Sequence, residues 1–394
     1  MLTPAQADAA IAAALVPLGV EVLPLSACAG RVLRQPVNAE RDVPPFDRVA
    51  MDGIAIAHGP RREFRVAGMQ PAGAPALALG SPADCIEVMT GAVLPAGCDT
   101  VVPFERLRLA DGRAALEPGC EPQPWQNVHR RGSDARAGAT LLAPGARLAA
   151  PEIAIAASAG LAEIAVSRQP RIAVISTGDE LVDPGEPVLA HQLRRSNSYG
   201  LGAALALAGC APATDLHLPD REDVLRDAFA RELAGHDLLV LSGGVSAGRH
   251  DFVPAALAAC GVRRVFHQVS QRPGRPLWFG AHPDGALVFA LPGNPVAVLV
   301  CLARYVLPAL AALAGALPAA QPRATLAQPF EFRPPLSCFL PVSLEYDQGR
   351  TLARPRPTGG SGDLVSLAGT DGFVELPPGP ATHPAGLAVT YFHW

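Results

Sequence analysis

Four short segments hold most of the residues able to do chemistry. Ser176-Thr177-Gly178-Asp179-Glu180 sets two carboxylates beside hydroxyl and backbone donors. Ser242-Gly243-Gly244-Val245-Ser246-Ala247-Gly248 places three glycines in seven residues, and glycine permits the positive φ that lets backbone N–H groups converge on an anion. Arg272-Pro273-Gly274-Arg275-Pro276 holds two arginines three apart on a stiff turn, and Leu291-Pro292-Gly293-Asn294-Pro295 opens a long apolar run. Each segment alone has a conformational explanation, because turns need Gly, Ser, Asn and Pro. Together they combine carboxylates, an anion nest and cations, which turn formation does not require. That combination points to one functional site at one edge of one sheet and leaves a small or acidic ligand open.

The elements around these segments say how they could meet. After Gln169-Pro170, strand and helix signals alternate: 171–176, 197–208, 214–218, 222–233, 237–241, 252–259, 262–269, 277–279, 286–291 and a helix after Asn294. Such alternation predicts a parallel sheet covered by helices, with ligands bound at the carboxyl ends of the strands. All four segments follow strands. Earlier in the chain, short β-type runs (64–66, 86–89, 100–104, 114–116) lie between helical stretches at 4–18 and 151–159. Residues 41–134 are therefore read as an inserted β module. The flanks, 1–40 and 135–168, make a mixed linker domain, 169–320 the α/β domain, and 321–394 a small C-terminal β-barrel or sandwich.

Composition excludes several classes. The 394 residues are 49% hydrophobic and 17% charged, which is incompatible with a disordered chain. A net charge of -4 gives no electrostatic footprint for nucleic acid. All 32 basic residues are arginine, so Schiff-base, Ser-Lys and P-loop chemistry are absent and any cationic grip comes from guanidinium forks. The eight cysteines show no C-x-x-C or zinc-ligand spacing and read as core thiols. Residues 1–20 lack a signal peptide's basic start. The apolar stretch 296–320, interrupted by Arg304 and Pro308, reads as a buried helix, so a cytoplasmic protein without a membrane partner is expected.

One motif invites another chemistry. Gly244-Val245-Ser246-Ala247-Gly248 matches the G-x-S-x-G elbow of serine hydrolases, with Asp251, His267 and His282 downstream. The apolar strand stops near Leu241, however, which leaves loop before Ser246 where an elbow requires strand.

A wider pattern absorbs these segments. Pro-x-Phe-Asp followed by Ala50-Met51-Asp52-Gly53, then Met89-Thr90-Gly91-Ala92, Arg130-Arg131-Gly132-Ser133-Asp134 and the four loops above, in that order, resembles the molybdopterin molybdotransferase family, which includes MoeA and the E domain of gephyrin. The resemblance covers essentially the whole chain. It implies an elongated four-domain homodimer that takes adenylylated molybdopterin, inserts molybdate and releases AMP in a Mg²⁺-dependent step. It also implies catalytic roles for Asp52, Asp134, Glu180, Asp220 and Asp251, with Glu180 and Asp251 sharing the Mg²⁺. Substrate contacts would come from Thr90, Ser176, Thr177, Gly178, Asp179, Asn197, Ser242, Gly243, Gly244, Ser246, Arg272, Arg275, Pro292, Gly293, Asn294 and Ser361. A molybdopterin adenylyltransferase and molybdoenzyme apoproteins are further expected partners.

Two departures stand out. Arg272 and Arg275 occupy positions where the family usually has lysine. The family's arginine on the first C-terminal strand is missing from Ser337-Cys338-Phe339-Leu340-Pro341-Val342, leaving Arg333 and Arg350 as the nearest candidates. Adenylyl transfer to molybdopterin by the α/β domain, and a non-catalytic scaffold of the same fold, are the competing readings.

Overall fold

The computed structural model describes residues 1–245 and 252–394. Its centre is a six-stranded sheet ordered Thr214–Leu218, Ile172–Thr177, Leu238–Ser242, Leu287–Leu291, Trp278–Ala281, Arg263–His267. Alternate residues of its strands enter two cores. Ile172, Val174, Leu238, Val240, Leu287 and Phe289 pack on one face, and Ala173, Ile175, Leu239, Leu241, Val288 and Ala290 on the other. Both faces are covered, the arrangement that parallel strands require. Helices Glu222–Gly235 and Val253–Ala259 cover the second face; Asn197–Leu207 and the segment from Pro295 to Leu313 cover the first.

The sheet is mixed, which corrects the expectation of parallel strands throughout. The first four strands run parallel, whereas Trp278–Ala281 is antiparallel to both its neighbours. A tight connection, closed by His282 N–H donating to Ala286 O at 2.8 Å, joins it to Leu287–Leu291. A parallel return would need a crossover of about a dozen residues. Strand Leu238–Ser242 also runs one residue beyond the expected end.

The N-terminal helix is shorter than its sequence reading. It spans Pro4–Ala14, started by a reciprocal cap between Thr3 and Gln6, and Leu15 is already extended. Pro17 disfavours helix in the residue before it. Ala7 and Ile11 pack into the α/β core beside Val269, Leu310 and Leu313. After this helix, Val20–Pro24 pairs with Glu163–Ser167 and Val37–Asn38 with Thr140–Leu142, around a core of Cys28, Leu33, Leu148, Ile164 and Val166. Between those paired segments the chain builds a separate six-stranded sheet from Gly53 to Leu116.

The C-terminal strands close on themselves. Ser337–Asp347 pairs with both Arg350–Pro355 and Gly372–Leu376, and Arg323–Leu326 and Ala388–His393 complete the ring. Gln271–Arg272, from the α/β part of the chain, adds to this sheet parallel to Ser337 and Cys338.

Pro295–Leu313 is long and apolar enough to cross a membrane, with mean hydropathy 2.2, yet 67% of it is buried within the fold. A wide π turn, Leu302–Val306, interrupts it just before Pro308, whose missing N–H cannot continue a regular ladder. All eight cysteines are free thiols, Cys210 and Cys260 partly exposed and the rest buried.

Candidate functional site

Strand Ile172–Thr177 lies between Thr214–Leu218 and Leu238–Ser242, so the chain order reverses there. A crevice opens outside the carboxyl ends of strands at such a point. The crevice is a 480 Å³ cavity lined by Thr177, Glu180, Asn197, Asp220, Ser242, Gly243, Gly244, Pro292, Gly293 and Asn294, among others. The sequence-chosen loops therefore do converge.

The wall of the cavity is polar. Thr177 lines the cavity and Ser176 beside it does not; both are buried, and neither hydroxyl has a hydrogen-bond partner among the described residues. A buried, unpaired hydroxyl carries a desolvation cost of about 1–3 kcal/mol, which a ligand could relieve. Gly243 and Gly244 have φ of +102° and +66°. A Cβ at Gly243 would stand 2.7 Å from Thr177 O, so only glycine lets the two strand ends close up. The amide of Gly243 is not open to a ligand, because it donates to Leu291 O at 3.3 Å. This trims the expected N–H nest.

The Asp179 carboxylate is fixed by neighbouring backbone. Asp179 accepts from the Asp220 amide at 3.2 Å, joining two strand ends, and the Gly178 carbonyl contacts His217 Nε2 at 2.9 Å. Asn197 donates to Gly293 O at 2.8 Å. The segment from Leu181 to Arg194 leaves the sheet and returns; buried Arg195 ties it down through Asp183 and Asp215, at 2.7 and 2.8 Å. Arg195 was missed in the sequence because nothing in its spacing marks a clamp between loop and sheet edge.

A second cavity, 650 Å³, adjoins the first and shares Pro276, Pro292 and Asn294 with it. Arg272, Arg275, Arg333, Cys338 and Ser361 are among its lining residues. Asn294 crosses the boundary, donating to Ser361 Oγ at 2.7 Å, while Val296 N–H reaches Ser361 O at 3.0 Å. Of the two candidate C-terminal arginines, Arg333 lines this space. Arg350 instead opens a strand at the hairpin turn opposite Asp347 and is absent from the lining.

Asp52, Thr90 and Asp134 line neither cavity. They sit on the β module on either side of Val49, which bonds to the 91–92 turn and pairs with Val128. Asp52 accepts from both the hydroxyl and amide of Thr90 at 2.6 Å, and these bonds hold its carboxyl below the ordinary range. Asp134 contacts His129 Nε2 at 2.7 Å, and His129 Nδ1 faces Arg48 at 2.9 Å. The His129 contact, then that of Ser133, lowers the Asp134 pKa. Ser246 and Asp251 lie outside the described residues. His267 and His282, the histidines of the imagined triad, meet Val245 O and Asp284.

Family comparisons cover the chain in three blocks. Residues 2–160 match the MoeA N-terminal region (domains I and II), 173–312 the probable molybdopterin binding domain, and 323–394 the MoeA C-terminal region (domain IV). A molybdopterin molybdenumtransferase of Synechocystis is 39% identical over 93% of both chains, and one of Bacillus subtilis 31% identical over 91% of this chain and 86% of its own. Two crystal structures of the molybdopterin biosynthesis MoeA protein of Pyrococcus horikoshii superpose over this whole chain. Their TM-scores are 0.82 and 0.79, at 25% and 27% identity, covering 100% and 99% of those chains.

Proposed function

The chain belongs to the MoeA family of molybdopterin molybdenumtransferases, and from that premise we propose how its two adjoining cavities divide the reaction. It is a transferase of molybdenum cofactor biosynthesis acting on molybdopterin. Adenylylated molybdopterin occupies the 480 Å³ cavity, its phosphates against the glycine turn and the hydroxyl of Thr177. Molybdate enters the 650 Å³ cavity, held by Arg272 and Arg275 with Ser361 opposite. Asn294, common to both spaces, aligns the oxyanion with the dithiolene. The two dithiolene sulfurs replace oxo groups of molybdate, which leave as water with the thiol protons, and water adds across the phosphoanhydride to leave the pterin phosphate and AMP. The observation that carries this reading is the shared wall of the two cavities.

The donor set fits Mg²⁺. Hard oxygen ligands line the first cavity, and this ion is commonly held by one or two carboxylates plus substrate phosphates. Glu180 and Asp251 would hold it, and Mg²⁺ would neutralise charge developing on the leaving phosphate. The active unit is a cytoplasmic homodimer in which Asp52, Thr90 and Asp134 of one protomer face the cavities of the other. It receives its substrate from a molybdopterin adenylyltransferase and serves molybdoenzyme apoproteins.

The competing readings lose ground to particular features. Adenylyl transfer by the α/β domain leaves the barrel wall of the second cavity without a role. A scaffold has no use for unpaired buried hydroxyls at a strand switch. Molybdate dependence tests the assignment. Arg272→Gln or Arg275→Gln should raise the half-saturating molybdate concentration by about one to two decades, the worth of a charged hydrogen bond, and Arg→Lys by much less. Equal loss of stability in all four variants, with unaltered molybdate response, would overturn it.

A further inference from the structure

The arginine turn is stiff for a reason that lies beneath it. Gln271 is fully buried, and its side-chain amide donates to Pro273 O at 3.2 Å and to Cys301 Sγ at 3.7 Å. Its carbonyl oxygen accepts from the hydroxyl of Tyr305, which is also buried. The turn rests flush on this group. Gly274, at φ +91°, has no room for a Cβ, which would stand 2.6 Å from both Cys301 Sγ and Gln271 Nε2. Val269 N–H donates to Arg275 O and Leu277 N–H to Gly274 O, which closes the turn above the amide.

Tyr305 reaches Gln271 from the π turn at Leu302–Val306. Arg304, its neighbour there, makes ion pairs with Asp8 and Glu375, so the turn is tied to the N-terminal helix and the barrel. No other hydroxyl donates to the Gln271 carbonyl oxygen among the described contacts.

We infer that Tyr305 and Gln271 are positioning residues for molybdate, holding the backbone of the Arg272–Arg275 turn so that both guanidinium groups face the 650 Å³ cavity. This rests on the reading of that turn as the molybdate site. Tyr305 lines neither cavity; Gln271 belongs to the wall of the 650 Å³ cavity, but its fully buried side chain is engaged by the turn and by Tyr305, so both act through the turn and not on the ion. Losing the hydroxyl leaves a buried carbonyl oxygen unpaired and frees the amide to shift, moving the turn relative to Ser361.

The test compares Tyr305→Phe, Gln271→Met, the double variant and Arg272→Gln, with molybdate and adenylylated molybdopterin titrated separately. Tyr305→Phe should raise half-saturating molybdate about three- to tenfold, the effect of one neutral hydrogen bond. The half-saturating pterin concentration and the rate at saturating molybdate should stay within about twofold. In the Gln271→Met background, Tyr305→Phe should add nothing, since its only route to the ion is gone. Should Tyr305→Phe fold poorly, Gln271→Met alone reads the same bond. A shift with Arg272→Gln but none with either buried variant overturns the inference and spares the molybdate site. No shift with Arg272→Gln overturns both. A lowered thermal midpoint with unchanged molybdate dependence in the buried variants assigns them to stability alone and also overturns it.

Discussion

The side chain of Asn294 donates to the hydroxyl of Ser361 at 2.7 Å, joining residues 67 apart in sequence at the boundary of two cavities. Asn294 ends the Leu-Pro-Gly-Asn loop of the α/β sheet, and Ser361 belongs to the C-terminal part of the chain, next to the barrel strands. Their bond, with that from Val296 N–H to Ser361 O, ties the two walls of the cleft together. Ser361→Ala should leave thermal stability within a few degrees of the parent and raise half-saturating molybdate by about three- to tenfold, the scale of one hydrogen bond. Asn294→Ala should impair use of both substrates, because that side chain lines both spaces. Separate titrations of each variant read the difference.

Arg333 should supply the C-terminal cation. It lines the second cavity with Arg272 and Arg275, whereas Arg350 does not. Arg333→Gln should weaken molybdate dependence by about threefold, a modest effect for an exposed guanidinium whose charge is screened. Arg350→Gln should leave it unchanged. A larger effect at Arg350 would return the third cation to the hairpin.

Glu180 lines the first cavity and Asp52 lines neither, so in the proposed homodimer their cooperation requires two protomers. Co-expressing an Asp52→Ala chain with a Glu180→Ala chain should recover activity in the purified heterodimer, where one of the two composite sites is intact. Activity no higher than either parent variant would place the two carboxylates in unconnected roles.

Asp237 predicts an acid limit for stability. Burial opposes its ionisation, but the Arg168 fork at 2.7 Å and the Arg171 amide at 2.8 Å outweigh that and hold its pKa at about 2. A carboxylate with a depressed folded pKa stabilises fully above its unfolded pKa, near 4, and loses that contribution as pH falls through the folded value. Asp237→Asn should therefore cost about 2 kcal/mol at pH 7, with the difference from the parent shrinking between about pH 4 and 2. Urea unfolding across that range measures it, and a constant gap would assign the loss to packing.

Much of this molecule was legible in the chain itself. The alternating apolar runs after Gln169 determined most of the strands and helices, because burial on both faces leaves a pattern that needs no partner to be read. Turn chemistry marked the loops, since only certain residues adopt their backbone angles. The adjacent Ser176 and Thr177 hydroxyls and the arginine turn were visible as types at known positions.

Tertiary structure decided what sequence spacing cannot encode. The antiparallel strand Trp278–Ala281 was hidden because a buried strand looks the same in either direction, and only the tight link after it fixes the sense. The choice of Arg333 over Arg350 depended on barrel closure, which turns one toward the cleft and leaves the other at a distant hairpin. Gln271 and Tyr305 carried no signal, because each resembles an ordinary core or strand residue until the π turn brings a hydroxyl to an amide 34 positions away. Short-range patterns are set by local sterics and burial. Long-range hydrogen bonds exist only after the chain has closed, and in this protein they are what gives the arginine turn its fixed position.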